Sequence, residues 1–283
     1  MSGDSRAATG LTRRRRRLSD QETERRMLQA AMDQVSSAGL TVSLEHISFE
    51  DVIRDAGVSR SAVYRRWPYK DLFFSDLLKE LARGTSPGIV EENPEARRAV
   101  DQTILDRLDW LKTPSLRIAL AAEILRQGAP AELQTFLRSP EWRTYLALHA
   151  TFLSLPEGEL RAEVQASLAE SERNVTAGLA SAYERVASLL GLRLRPTLGT
   201  GFEALATLAN AMVRGVVVMA PATPALSEET IRADLFGAPD PADWTLPGLA
   251  LGALAAAFLE ADPDVEVDDD RVAEIRRALT RED

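Results

Sequence analysis

Between residues 59 and 70 the chain gathers side chains suited to touching a polyanion: Ser59, Arg60, Ser61, Tyr64, Arg65, Arg66 and Lys70. Hydroxyl, guanidinium and ammonium groups at this density offer donors to phosphate oxygens and to base edges, which is binding rather than bond-making chemistry. Ser48, one element upstream, completes this candidate DNA-contact set. A second set, Trp110, Phe136, Trp142, Tyr145, His149, Phe152 and Tyr183, is spread through the middle of the chain. These side chains either line an apolar pocket for a small molecule or form ordinary core, and residue type alone does not separate the two.

Groups for catalysis are scarce. The chain has two histidines, His46 and His149, and no cysteine, so thiolate chemistry and disulfides are excluded. Neither histidine stands in a His-Glu-x-x-His spacing, and no Gly-rich phosphate loop or nucleophile elbow occurs. Carboxylates are plentiful, but their spacing singles out no acid/base pair. The expectation is a binding protein with no enzymatic step, no metal and no cofactor.

The donors at 59–66 need a short helix to present them. Ser48 opens an element whose buried face is Val52, Ile53 and Ala56, and Gly57 follows as a residue free to take a left-handed turn. Ser59 then caps a helix whose apolar residues Val63 and Trp67 are four apart, and Pro68 ends it. A further helix runs from about Lys70 to Arg83 with Phe73, Leu77, Leu78 and Leu81 inward. Upstream, Ser19 and Glu22 form a capping box, followed by Leu28, Ala31, Val35 and Ala38 on one face until Gly39. Helix, tight glycine turn and second short helix make Ser48–Trp67 a helix-turn-helix. A purely structural helical hairpin would explain the caps but not the cluster of exposed donors.

These residues resemble a known family. Ala56-Gly57-Val58-Ser59, Tyr64, Trp67-Pro68 and Lys70-Asp71-Leu72 are similar to the signature of TetR-type regulators, over about residues 20–83. The resemblance implies a three-helix DNA-binding head, a fourth connecting helix, and a larger ligand-binding, dimerising domain. Position by position, it places Ser59, Tyr64 and Lys70 where phosphates are touched, and Arg60 and Ser61 at variable recognition positions. Trp67 stands where the family usually has Phe, Val52-Ile53 replaces an Ile-Ala pair, and Tyr69 replaces a small or polar residue.

Charge is distributed accordingly. Residues 1–83 hold fifteen Lys and Arg against twelve Asp and Glu, whereas the rest hold nineteen against thirty-one, so the overall charge of −9 hides a basic end. Arg13–Arg17 lies in a polar arm, residues 1–18, and is either simply solvated or follows DNA phosphates. Thr85-Ser86-Pro87-Gly88 marks the candidate boundary between a helix-turn-helix domain, residues 19–84, and a ligand-binding and dimerisation domain, residues 85–283.

Beyond that boundary Ala, Leu, Glu and Arg dominate, strand alternation is absent, and an all-α fold is expected. Helices are expected from Asn93-Pro94 to Leu111, Thr113-Pro114 to Gln127, Pro156 to Leu190, Pro196 to Met219, Leu246 to Glu260 and Asp270 to Arg281. Pro130 and Pro140 bound shorter segments, and a helical turn is expected at Glu228–Leu235. The Pro196–Met219 segment carries two apolar faces. One is Phe202, Leu205, Ala209, Met212, Val216 and Met219, and the other is Gly201, Ala204, Leu208, Ala211, Gly215 and Val218. Between them runs a polar stripe of Glu203, Thr207, Asn210 and Arg214. Such a helix either pairs with a second copy or is wholly buried in one subunit. The resemblance favours pairing, through the last two major helices. No membrane span or targeting segment is expected, since the uncharged run Trp244–Leu259 is too short to cross a bilayer.

The function expected is a cytoplasmic, homodimeric transcriptional regulator, most simply a repressor, on a near-palindromic double-stranded operator. An unidentified small-molecule effector would release it. The competing class is a helical scaffold that uses its basic end on anionic surfaces.

Overall fold

The computed structural model describes residues 19–38, 47–84 and 94–280. The arginine arm, Gly39, His46, the 85–88 break and Asn93 lie outside the described residues. The chain is all-α, as expected, apart from two short β-ribbons.

The head comprises α1 (Asp20–Ala38), α2 (Phe49–Asp55), α3 (Arg60–Arg66) and α4 (Lys70–Gly84). Its limits follow from local chemistry. Ser48 Oγ accepts from Asp51 N–H and Ser59 Oγ from Ala62 N–H, both at 3.3 Å, so each short helix begins on a serine cap. Between them Gly57 takes φ +63°, the left-handed turn that lets α3 cross α2. Ser19 caps α1 through Glu22 N–H, but the Glu22 carboxylate turns to Arg25 and Arg26, so the two-way capping box is not made. The inward face of α1 is Thr23, Met27, Ala31 and Val35: Ala31 and Val35 are buried as expected, and Met27 rather than Leu28 is the fully buried residue a turn earlier.

Trp67 is fully buried against Phe73, and its indole N–H donates to Asp76 at 2.9 Å. A tryptophan here therefore both fills the head core and hydrogen-bonds α4, which phenylalanine could not do. Tyr69, by contrast, is 73% exposed.

The body comprises α5 (Pro94–Leu105), α6 (Pro114–Arg138), α7 (Pro140–Leu153), α8 (Glu159–Leu189), α9 (Phe202–Met219), α10 (Ala225–Glu228), α11 (Leu246–Phe258) and α12 (Asp269–Leu279). Helix α11 lies along α6, and α9 packs on α8 and α11. β1 (Leu192–Leu194) pairs antiparallel with β4 (Leu259–Ala261), joining the ends of α8 and α11. β2 (Thr230–Ala233) pairs with β3 (Ala242–Thr245).

Four expectations are corrected. The helix from Pro94 stops at Leu105, and a 3₁₀ turn at Leu108–Lys112 then buries Leu108 and Leu111, three apart, on one side. Pro130 does not bound a segment but lies inside α6, which runs unbroken to Arg138. The carbonyl that Pro130 cannot bond is that of Arg126, and Gly248 of α11 packs closely against this stretch of backbone. Helix α9 starts at Phe202 rather than Pro196, because the backbone turns left-handed at Gly199 after a single 3₁₀ turn. The helical turn expected at Glu228–Leu235 is the strand β2, and strands of three or four residues are too short to show alternation.

Helix α9 is also, among the described residues, the one helix long and apolar enough to cross a membrane. Its residues Leu205, Ala206, Ala209, Asn210, Val213 and Val217 are buried within the chain, while Leu208, Val218 and Met219 are exposed.

Arg117 is the buried tie of the body. Its guanidinium donates to the carbonyls of Leu111 (2.7 Å), Gly191 (3.3 Å) and Val265 (3.1 Å), joining three segments far apart in sequence. Gly191 has φ +65°, and a Cβ there would stand 2.9 Å from Arg117 Nη1 and 3.1 Å from Val265 Cγ1. Gly191→Ala is therefore expected to destabilise the chain by roughly 2–4 kcal/mol, combining left-handed strain with overpacking. Gly57→Ala meets nothing within 4 Å and should cost only about 1 kcal/mol, from the left-handed strain. Urea denaturation of both variants checks this, and equal losses would contradict it.

Candidate functional site

Two places gather functional groups. The first is the exposed face of the head. Ser48, Ser59, Arg60, Ser61, Tyr64, Arg65 and Lys70 are all exposed there, and Arg66 is partly buried. Glu50 at the start of α2 organises the outer surface of α3. Its carboxylate pairs with Arg60 at 2.6 Å and accepts from the Tyr64 hydroxyl at 3.1 Å. That bond pushes the Tyr64 hydroxyl pKa up. The Tyr64 ring also rests edge-on against Phe49, 6.0 Å between centroids.

Arg65 pairs with Asp20, whereas Arg66 bonds Glu24 at 3.2 Å and reaches Asp76 at 3.4 Å. Arg66 thus ties α3 to α1 and α4 and positions α3 from behind. Lys70, at the first position of α4, makes no ion pair among the described residues. The chemistry this face can perform is donation to anionic oxygens from Ser59, Ser61, Arg60, Tyr64 and Lys70.

The second place is a cavity in the body, between α6, α7, α8 and α9. It has a volume of about 10 Å³, room for roughly one water. Phe136, Trp142, Val175, Leu179, Ala209 and Val213 supply apolar wall, and Glu132, Tyr183 and Asn210 supply polar groups. Phe136 and Trp142 pack with centroids 4.1 Å apart and planes tilted by 43°. The Glu132 carboxylate makes no hydrogen bond or ion pair among the described residues, and burial pushes its pKa from 4.5 up to about 7. Burial also pushes the Tyr183 hydroxyl up, with Glu132 nearby adding to the effect.

Beside the cavity lies a polar network in which every charge is answered. Glu172 on α8 accepts from Tyr145 on α7 and from Arg214 on α9. His149 Nε2 lies 3.1 Å from the same carboxylate oxygen, but off the line of a good hydrogen bond. Burial alone would raise the Glu172 carboxyl, yet these three partners together hold it at about 2. The Arg214 guanidinium also sits over Tyr145, 4.8 Å from the ring centre.

Of the aromatic set, Phe136, Trp142 and Tyr183 therefore line the cavity, and Tyr145 and His149 adjoin it. Trp110 lies elsewhere, against Arg107. Phe152 packs with Arg161, toward the head. Sequence reasoning passed over Glu132 and Asn210 as pocket residues. The available signal was Glu132 four residues before Phe136 on one helical face. Asn210 belonged to the polar stripe of α9, which splits in the fold: Glu203 and Thr207 face out, while Asn210 is buried and Arg214 turns to Glu172. No group of three or more His, Asp or Glu able to hold a metal occurs among the described residues.

No family model and no curated protein matches the chain. Among solved structures, it is similar to a TetR-family transcriptional regulator from Agrobacterium tumefaciens, at 16% identity, over 72% of this chain and 90% of that one, with a TM-score of 0.39. A TetR-family regulator from Marinobacter aquaeolei VT8 is similar at 19% identity, over 85% and 97%, with a TM-score of 0.33. Likeness at this level assigns neither a family nor a partner to the chain.

The unpaired Glu132 gives a sign-defined expectation. The fold holds its proton more tightly than the unfolded chain does, so the cost of this carboxyl is absent below pH 4.5 and complete once the pH has risen past about 7. Glu132→Gln should match wild type in acid and exceed it by about 1–3 kcal/mol at pH 8. Denaturation at pH 5.5 and pH 8 checks this, and a stability gap that does not widen with pH would contradict it.

Proposed function

We propose that the chain is a sequence-specific, DNA-binding transcriptional regulator: a cytoplasmic homodimeric repressor that leaves its operator when a small molecule occupies the body. The observation that carries this reading is the serine-capped helix-turn-helix, with Ser59, Arg60, Ser61, Tyr64 and Lys70 presented together on its exposed face. The resemblance of these positions to TetR-type heads supports the same reading. In it, Ser59, Tyr64 and Lys70 hold phosphates and set register, while Arg60 and Ser61 face base edges. No chemical step is involved.

The dimer reading is supported by the outward side of α9. Leu208 is 47% exposed and Val218 63%, and Ala211 and Gly215 lie on the same side, small enough for a second helix to approach closely. Two-fold pairing would set two α3 helices on one face of the duplex, about one helical turn apart or a multiple of it.

Release would be a population shift. A ligand that parts the cavity walls favours an arrangement in which α8 and α4 no longer hold the two heads at operator spacing.

Tyr64→Phe and Lys70→Ala are expected to weaken binding to operator and to random DNA by similar factors, since phosphate contacts position without reading sequence. Lys70→Ala should also flatten the salt dependence by roughly 0.9 in log K against log salt. Titrations with both DNAs at several salt concentrations check this. A loss confined to the operator would contradict the assignment.

A further inference from the structure

The body contains two half-buried carboxylates with opposite surroundings. Glu172 is met by Tyr145 and Arg214, with His149 beside it. Glu132 has no such partner, although it lines an enclosed space. Arg214 is committed to Glu172. Glu132 is half-buried, and a carboxylate held against an apolar wall without a cation carries a cost that a bound positive charge would remove.

The surroundings say what that something would be. Phe136, Trp142 and Tyr183 wall the same cavity, and aromatic faces attract cations while apolar walls hold a hydrocarbon body. Asn210 adds an amide to the polar side. An anion would meet Glu132 with like charge, and a neutral apolar molecule would leave it uncompensated. The space now admits about one water, so an organic occupant must push its walls apart, the closely packed Phe136 and Trp142 rings among them. These rings lie on α6 and α7, and the facing wall, Val175 and Leu179, lies on α8.

We infer that this cavity is the site of an organic cation, an ammonium group on an aromatic or apolar body, whose charge pairs with Glu132 and whose body spreads the Phe136–Trp142 pair. This deepens the reading of the body as effector-sensing and rests on it.

Isothermal titration of the full chain at pH 8 tests it with three probes that share a ring and differ in charge: benzyltrimethylammonium, benzyl alcohol and phenylacetate. The cation should bind at least tenfold more tightly than the alcohol, and phenylacetate should not bind measurably. Glu132→Gln should lose tenfold or more for the cation while leaving benzyl alcohol unchanged. Because this variant removes an unpaired charge, its melting temperature reports that it is folded. A wild-type protein that binds cation and alcohol equally, or that binds none of the probes, overturns the inference. So does a Glu132→Gln protein that keeps its cation affinity. Operator binding measured on the same samples separates the two readings: intact DNA binding with no cation preference sinks only the cation site, and cation binding without DNA binding sinks the regulator.

Discussion

Helix α8 is the element on which the other parts depend. Its 31 residues make a rod of about 46 Å. Near its start, Val164 and Leu168 are buried in the same cluster as Trp67, Phe73 and Leu77 of the head. Midway, Val175, Leu179 and Tyr183 line the cavity. Near its end, Ala187 joins the cluster of Leu120, Ile124 and Leu259. One rigid helix therefore enters the core of the head, the wall of the cavity and the base of the body. A displacement at one of these places cannot be absorbed by a loop before it reaches the next, because close-packed contacts transmit strain. Lys79 of α4, paired with Glu163, adds a polar fastening at the head end.

Electrostatics separates what is fixed from what is available. Arg66, Arg117, Arg126 and Arg214 are spent on internal acceptors: Glu24 and Asp76, three backbone carbonyls, Glu123, and Glu172 respectively. For the buried members, Arg117 and Glu123, losing a partner leaves a buried charge uncompensated, so these groups stabilise the arrangement of helices. Arg60, Tyr64 and Arg65 of α3 hold solvent-exposed pairs with Glu50 and Asp20, whereas Lys70 and the Glu132 carboxylate have no charged partner among the described residues. They lie at the two places where an external molecule would complete the chain's polar interactions.

What could be read from the sequence was decided by local chemistry. Ser48, Gly57, Ser59 and Pro68 each act on the backbone within a few residues of themselves, so the head follows from composition and spacing alone. Trp67 was legible as core, but its bond to Asp76, nine residues on, was not. In the body the decisive terms are long-range. Pro130 stays inside α6 with α11 packed alongside, β1 exists because β4 lies next to it, and α9 buries Leu205, Ala209 and Val213 because of where α8 stands. Glu132 was hidden for the same reason: a carboxylate looks solvated until the fold encloses it. Of seven aromatic candidates, the fold brings Phe136, Trp142 and Tyr183 to one cavity and leaves Trp110 and Phe152 elsewhere.

We propose that this chain reads DNA through two copies of α3 held at fixed spacing. The most direct measurement is selection of genomic DNA fragments by the full chain at physiological salt, followed by footprinting of the enriched sequences. The account predicts one near-palindromic motif whose half-site centres lie roughly 34 Å apart or a whole multiple of that distance. Recovery of fragments with no shared motif, or of a single unpaired half-site, would contradict it.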